Sequence, residues 1–433
     1  MKRISRKIPL KNVAAFKSQL LLWAQQFDEI TWLDSNNYEQ KYTSYDAVLA
    51  VDAQTSLKTT VGNAFTELEH YRNSCDDYLF GYLSYDLKNE LENLTSTNTD
   101  GLKFDDLYFF QPKRLFFIKN DSVEVRYLEP YQNEIDRDLD EIFNQEEPGL
   151  QVKPNVKIKK RITKKEYLAK LDTILAHIHR GDIYEMNFCQ EFYAENATIN
   201  PFEVYQRLNK ISKPPFATFL KINHHYLLSA SPERFVKKQG TTIISQPIKG
   251  TAKRLANKKL DQQLALRLER DEKERSENIM IVDLVRNDLS KTALKGTVNV
   301  EELCQLYSFK QVHQLISTVR SEVAKETSVI EILKSLFPMG SMTGAPKIAA
   351  MQIIEAQEVS KRGLYSGAVG YISPEGDFDF SVVIRSILYN KNNRYLSYSV
   401  GGAITSKSNP EQEYQECLLK AIAMKRALKT QNS

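Results

Sequence analysis

The chain has 433 residues, 42% of them hydrophobic and 26% charged, with a net charge of +4. That is ordinary globular composition, and length alone allows two or three domains or one large mixed unit. The mild positive balance makes no case for nucleic acid as a partner, and no stretch approaches the ~18 consecutive apolar residues of a membrane span.

The cysteines Cys75, Cys189, Cys304 and Cys417 lie far apart. That spacing reads as reduced thiols in a cytoplasmic protein, neither a disulfide framework nor a zinc site. Residues 1 to about 130 predict mixed structure without a chemical site. Residues 20–24 belong to a short amphipathic helix. Residues 30–35, 45–51 and 78–85 alternate as strands do, and 109–118 continues the β pattern. Residues 131–161 then separate acidic from basic charge, with Asp136, Asp138, Asp140, Glu141, Glu146 and Glu147 ahead of a lysine-rich run through Lys160. Low hydrophobicity and segregated charge predict a linker or an exposed crossing there.

From residue 162 the signals sharpen. Thr163-Lys164-Lys165-Glu166 is a capping box, in which two side chains satisfy free helix amides reciprocally. Tyr167, Leu168, Leu171, Ile174, Leu175 and Ile178 recur at helical spacing, and Gly181 ends the helix. Residues 184–192 alternate as a strand, and Asn200-Pro201 opens another helix that stops before Pro214-Pro215. Strands follow at 216–222 and 226–230, then Ser231-Pro232-Glu233-Arg234-Phe235.

Gln246-Pro247-Ile248-Lys249-Gly250-Thr251-Ala252 follows a β-rich run. Proline fixes one backbone angle and glycine frees another, which predicts a sharp exit from a strand. A glycine also lets a ligand approach the backbone closely, where Lys249 would meet it. In a partly desolvated site that lysine has a depressed pKa and becomes a nucleophile; in a plain turn it is a solvated lysine.

Residues 271–289 read as a charged helix running into an apolar one. Glu274 and Glu277 share a face of it, and Glu413, Glu416 and Lys420 share a stripe on the helix that Asn409-Pro410 begins. Each set alone is a solvated helix face. Together, two E-x-x-E pairs supply the oxygen ligands of Mg2+, with a lysine one turn on for a substrate carboxylate. Between them lie glycine-marked turns, including Gly340-Ser341-Met342-Thr343-Gly344-Ala345-Pro346-Lys347, which lacks the spacing of a P-loop. Arg385 falls in an apolar strand at 380–388, where it needs a carboxylate partner or a substrate. His313 sits in a comparable strand, either as a catalytic candidate or as a satisfied core histidine.

Several of these motifs, in this order, resemble the chorismate-utilising enzymes: the anthranilate, aminodeoxychorismate, isochorismate and salicylate synthases. They are Pro247-Ile248-Lys249-Gly250-Thr251, Glu274-Arg275-Ser276-Glu277-Asn278 with Val282-Asp283-Leu284-Val285-Arg286-Asn287-Asp288-Leu289, and Gly344-Ala345-Pro346-Lys347. Arg362-Gly363-Leu364-Tyr365-Ser366-Gly367 and Glu413-Tyr414-Gln415-Glu416 complete the set, over roughly residues 162–428. Trp32-Leu33-Asp34-Ser35 and Gly81-Tyr82-Leu83-Ser84-Tyr85-Asp86 extend the resemblance weakly into the N-terminal part.

The resemblance implies an α+β fold, one large unit with two packed, mainly antiparallel sheets flanked by helices. Residues 1–150 would be an N-terminal β-rich part of the same body, and 162–430 the chorismate-binding catalytic region. Lysine at 249, where most branches carry alanine, is similar to the aminodeoxychorismate synthase component I branch of 4-aminobenzoate and folate biosynthesis. By that resemblance Lys249 would attack C2 of chorismate as the C4 hydroxyl leaves, and Glu233 would protonate that hydroxyl. Ammonia would then add at C4 and expel the lysine. Gly250, Thr251, Tyr365, Arg385, Gly401, Gly402 and Lys420 would hold substrate, and Glu274, Glu277, Glu413 and Glu416 the Mg2+.

Glu185 and Ala403 depart from the pattern: amidating relatives usually have glutamine at the first position, and many relatives have glycine at the second. No cysteine sits in a Gly-x-Cys-x-Gly elbow, so a separate glutamine amidotransferase subunit is the expected ammonia source. The alternatives are anthranilate synthase component I and a non-catalytic chorismate-binding regulatory subunit.

Overall fold

A computed structural model describes residues 2–38, 41–146, 156–309 and 312–429 of the chain. The strand Leu107–Lys119 is the joint of its sheet. One edge pairs antiparallel with Ala47–Thr59 along its whole length. On the other edge, residues 107–110 pair with Leu79–Leu83 and residues 114–119 with Ser122–Leu128. Pro112 cannot donate to a ladder, and it falls at the register shift between Ala53 and Thr55.

Two arms of one hydrogen-bonded sheet leave this joint. The first runs through Ala47–Thr59, Glu29–Asp34, Phe216–Ile222, His225–Ser231, Ser386–Asn390 and Tyr395–Thr405 to Glu185–Ala194. The second runs through Leu79–Leu83, Ala368–Ile372, Phe378–Val382, Arg234–Gln239 and Thr242–Gln246 to Val312–Glu322. That last strand also carries Ile248–Lys253 and Asn299–Ser308.

Period-two alternation sends successive side chains of the first arm into two different cores. Val48 and Ala50 join Leu220, Leu227, Phe80, Val236 and Phe380 between the arms. Ala47, Leu49 and Val51 join Phe219 and Leu228 under the helices Val13–Trp23, Ile135–Phe143, Lys164–Arg180 and Pro201–Ser212. The α+β body with antiparallel sheet layers and flanking helices is therefore present, its two layers being arms of a single sheet. Among the described residues no helix is long and apolar enough to cross a membrane, and the four cysteines are free.

Local punctuation acts as its chemistry dictates. The Thr163 capping box forms, Gly181 ends that helix in the left-handed region at φ 86°, and Asn200 and Asn409 cap helices with proline in the first turn. Such caps each contribute about 1 kcal/mol.

Three expectations are corrected. Residues 131–146 are not a linker: the helix Ile135–Phe143 buries Ile135, Leu139 and Ile142, and its Asp138 is buried against Arg114 at 3.0 Å and the Tyr127 hydroxyl at 3.0 Å. Part of the charge that suggested exposure, Asp138, is internally paired. Lys159–Lys160 pairs with Glu185–Ala194, while residues 147–155 lie outside the described residues. Residues 246–252 do not leave the sheet. The chain breaks at Pro247 and re-enters as Ile248–Lys253 on the same neighbour, Val312–Glu322. Nor is 380–388 one strand: Phe378–Val382 and Ser386–Asn390 are separate, and Arg385 sits in the gap at φ 53°.

The weak N-terminal motif and a C-terminal one meet. Tyr85 N–H donates to the Gly363 carbonyl, and Gly363 N–H donates to Asp86 Oδ2, each at 2.8 Å. Burial pushes the Asp86 carboxyl up to about 6 despite Lys361 and Lys88 nearby.

Candidate active site

The far ends of the two arms face each other across a cavity of about 820 Å3. All of the expected site residues except His313 line it. The strand Ile248–Lys253 presents Lys249 through a β-bulge: Lys249 pairs with Leu315 and Thr251 with Gln314, which leaves Gly250 as the extra residue at φ 74°. A Cβ there would come within 3.2 Å of Glu274 Oε2 and Leu268, so glycine also permits the close approach of the helix Glu272–Ser290. Thr251 Oγ1 accepts a hydrogen bond from Gln314 at 3.3 Å.

Lys249 Nζ donates to Glu185 Oε1 at 3.0 Å. Burial pushes the ammonium down, but Glu185, Glu277 and Glu233 together outweigh it and hold Lys249 above the ordinary lysine value. The expected depression is thus reversed, because three carboxylates surround the amine. Glu233, in the turn after His225–Ser231, accepts a 2.6 Å hydrogen bond from Ser341 Oγ. Burial raises its carboxyl to about 7, against the opposing pull of Ser341 and Lys249.

Arg385 is buried, and burial lowers its guanidinium from the ordinary value. No carboxylate lies within ion-pair distance of it among the described residues, so a cation on the cavity wall is left without a protein partner. Tyr365 is buried beside it, with its hydroxyl 3.3 Å from Cys189 Sγ. Gly401 carbonyl accepts from Lys420 Nζ at 2.9 Å, and Lys420 also pairs with Glu416 at 2.7 Å. A Cβ on Gly402 would lie 3.5 Å from both Glu413 Oε2 and Lys420 Nζ, so the bare glycine leaves that corner open.

The two glutamate pairs approach each other from the helices Glu272–Ser290 and Pro410–Lys420. Lys273 Nζ stands between them, 3.2 Å from Glu413 Oε1 and 3.7 Å from Glu277 Oε1. Burial and the nearby Glu416 raise Glu274. Burial, with Glu185 and Glu274 adding to it against Lys249, raises Glu277 to about 7. Glu277 Oε1 is buried and accepts no hydrogen bond among the described residues. Burial also works to raise Glu416, but Lys420 overcomes it and the carboxyl ends low. Among the described residues no three acidic, His or Cys side chains are drawn close enough to hold an ion as they stand. The donors are nonetheless crowded carboxylate oxygens, one of them orphaned, and that chemistry fits a hard divalent cation such as Mg2+.

His313, expected as a catalytic candidate or a satisfied core histidine, does not line the cavity. Its ring is held by Ser308 Oγ at 2.8 Å and Asp261 Oδ1 at 3.1 Å, and it is 2% exposed. Asp261 is itself held well below the usual carboxylate range by Arg254 and the Leu255 amide. Sequence reasoning had no role for Ser341, in the glycine-marked turn 340–347, or for Lys273, in the charged stretch 271–289; a hydroxyl in that turn and a lysine between two glutamates were the available signals. Glu185 was visible only as a departure.

Residues 28–426 match the chorismate binding enzyme family. Aminodeoxychorismate synthase component 1 of Salmonella typhimurium is 39% identical over 255 residues, 59% of this chain and 56% of that protein, so the match spans little more than half of that relative. Anthranilate synthase component 1 of Thermus thermophilus is 31% identical over 388 residues, 87% of this chain and 83% of that protein. The crystal structure of anthranilate synthase component I from Streptococcus pneumoniae aligns with a TM-score of 0.77 at 25% identity, over 89% of this chain and 93% of that one. The family match covers most of the sequence, and the chain belongs to the chorismate binding enzyme family.

Proposed function

We propose that the chain converts chorismate and ammonia to 4-amino-4-deoxychorismate and water, as an aminodeoxychorismate synthase component 1. The observation that carries this reading is Lys249, a primary amine on the cavity wall whose pocket also holds Glu233 and Arg385. Chorismate is a dicarboxylate with a poor leaving group at C4. Arg385 and Lys420 offer charge-assisted hydrogen bonds to its carboxylates. Glu233, half-protonated near neutrality, gives its proton to the departing hydroxyl. Lys249 bonds to C2 as both conjugated ring double bonds shift toward C4 and water leaves C4. Ammonia then bonds to C4, both double bonds shift back, the C2–N bond breaks, and Glu233 regains a proton from the new amine. With the lysine occupying C2, the incoming nitrogen is directed to C4.

Glu274, Glu277, Glu413 and Glu416 would hold Mg2+, which when bound stabilises charge on the ring carboxylate. The ammonia comes from a separate glutamine amidotransferase subunit, a reading supported by the words "component 1" in the Salmonella typhimurium relative's name. Anthranilate formation is the second reading, favoured by the long match to the Thermus thermophilus protein.

Product analysis decides between them. Chorismate, Mg2+ and an ammonium salt at mildly alkaline pH should give 4-amino-4-deoxychorismate. Anthranilate as the product would establish the second reading, and no consumption of chorismate would leave a non-catalytic subunit.

A further inference from the structure

Glu185 opens the strand Glu185–Ala194 and is pinned on both sides, pairing with Thr405 on one edge and Ala345 on the other. A Cβ on Gly344 would lie 2.2 Å from the Glu185 carbonyl oxygen, so the neighbouring backbone is pressed close and the side chain starts from a fixed point. The carboxylate is 2% exposed. Its Oε1 accepts the hydrogen bond from Lys249, while its Oε2 is buried and accepts none among the described residues. Lys249 lines the cavity, and Glu185 stands behind it. The other charged groups facing the amine are Glu277 and, more weakly, Glu274, from the helix Glu272–Ser290, Glu233, from the turn after His225–Ser231, and Glu416, from the helix Pro410–Lys420. Glu185 alone of these carboxylates is hydrogen-bonded to it among the described residues.

An ammonium has no lone pair, so a lysine nucleophile must first give up a proton. The group to receive it must be within hydrogen-bond reach. Building on the proposed role of Lys249 as nucleophile, we infer that Glu185 is its positioning residue and proton acceptor: the pair shares one proton, and shifting it from Nζ to the carboxylate delivers the neutral amine to C2. The balance closes over the cycle. Lys249 ammonium and Glu185 carboxylate become amine and carboxylic acid. The amine bonds to C2, is released when ammonia adds at C4, and takes its proton back from Glu185.

A shared proton has a kinetic signature. While the pair holds one proton, the fraction present as amine and acid does not change with pH. In Glu185→Gln the amine is freed only by loss to solvent, so its fraction rises about tenfold per pH unit below the lysine's pKa. The experiment follows formation of the Lys249–substrate adduct by intact mass after rapid quenching, with chorismate and Mg2+ but no ammonia. The full-length wild type, Glu185→Gln and Glu185→Asp are compared across pH.

Dividing each variant's rate by the wild-type rate cancels the dependence on Glu233. The Gln ratio should climb about tenfold per unit, while the Asp ratio stays flat at a reduced level because the base is kept but its reach is shorter. A flat Gln ratio, or an Asp ratio that climbs like the Gln ratio, overturns the role of Glu185 and leaves Lys249 as the nucleophile. No adduct on wild-type Lys249 overturns both.

Discussion

Ser341 Oγ donates a 2.6 Å hydrogen bond to Glu233 Oε1, across 108 residues of sequence. The bond favours the ionised carboxylate, while burial favours the acid more strongly and leaves Glu233 at about 7. A group that must donate a proton works below its pKa. The kcat/KM for chorismate should therefore be level below about pH 7 and fall tenfold per unit above it. Ser341→Ala removes the bond that lowers the pKa, so this alkaline limb should move to higher pH. Glu233→Gln should slow the reaction by about 10²–10⁴-fold at neutral pH. Stability should follow the same proton. The folded chain holds it more tightly than the unfolded chain, so wild-type stability should decline from about pH 4.5 to about 7, and Glu233→Gln should lose that part of the slope.

Arg385 has a charge to give and, among the described residues, no carboxylate within ion-pair distance to give it to. Arg385→Ala should raise KM for chorismate by about 10–100-fold, the worth of a hydrogen bond to a charged group, with a smaller change in kcat. Steady-state kinetics at saturating Mg2+ check this. A lysine replacement should recover little, since it lacks the planar fork.

The glutamate pairs should be read by metal binding rather than by activity alone. Calorimetric titration with Mg2+ should show binding by the wild type and at least about tenfold weaker binding by Glu277→Gln and Glu416→Gln, each having lost one ligand charge. Lys273 should behave oppositely. Its ammonium stands 3.2 Å from Glu413 and competes with any cation there, so Lys273→Met should bind Mg2+ more tightly than the wild type. Circular dichroism on each variant separates lost ligands from lost fold.

His313 is held from both ring nitrogens by Ser308 and Asp261. His313→Leu should lower the melting temperature by a few degrees, because it leaves buried partners unsatisfied. The kcat should stay within about twofold of wild type, since no catalytic contact is lost. A large fall in kcat with an unchanged melting temperature would return His313 to the chemistry.

What the sequence determined was whatever depends on near neighbours along the chain. Thr163 and Glu166 cap a helix because they are three residues apart, and Glu413, Glu416 and Lys420 share a stripe because the helix repeat puts them there. Motif order was legible as well, and with it the family. Tertiary structure decided the states and partners of those residues, which depend on contacts across the two arms. Lys249 is 64 residues from Glu185 in sequence and 3.0 Å from it in space, so burial that should have lowered its pKa is outweighed by carboxylates from other elements. Asp138 reads as solvent-facing charge until Arg114 folds over it. His313 reads as a candidate base until Asp261 and Ser308 close on its ring. Local spacing fixes which side chains share a face, whereas solvation and pairing depend on what the rest of the chain brings to that face.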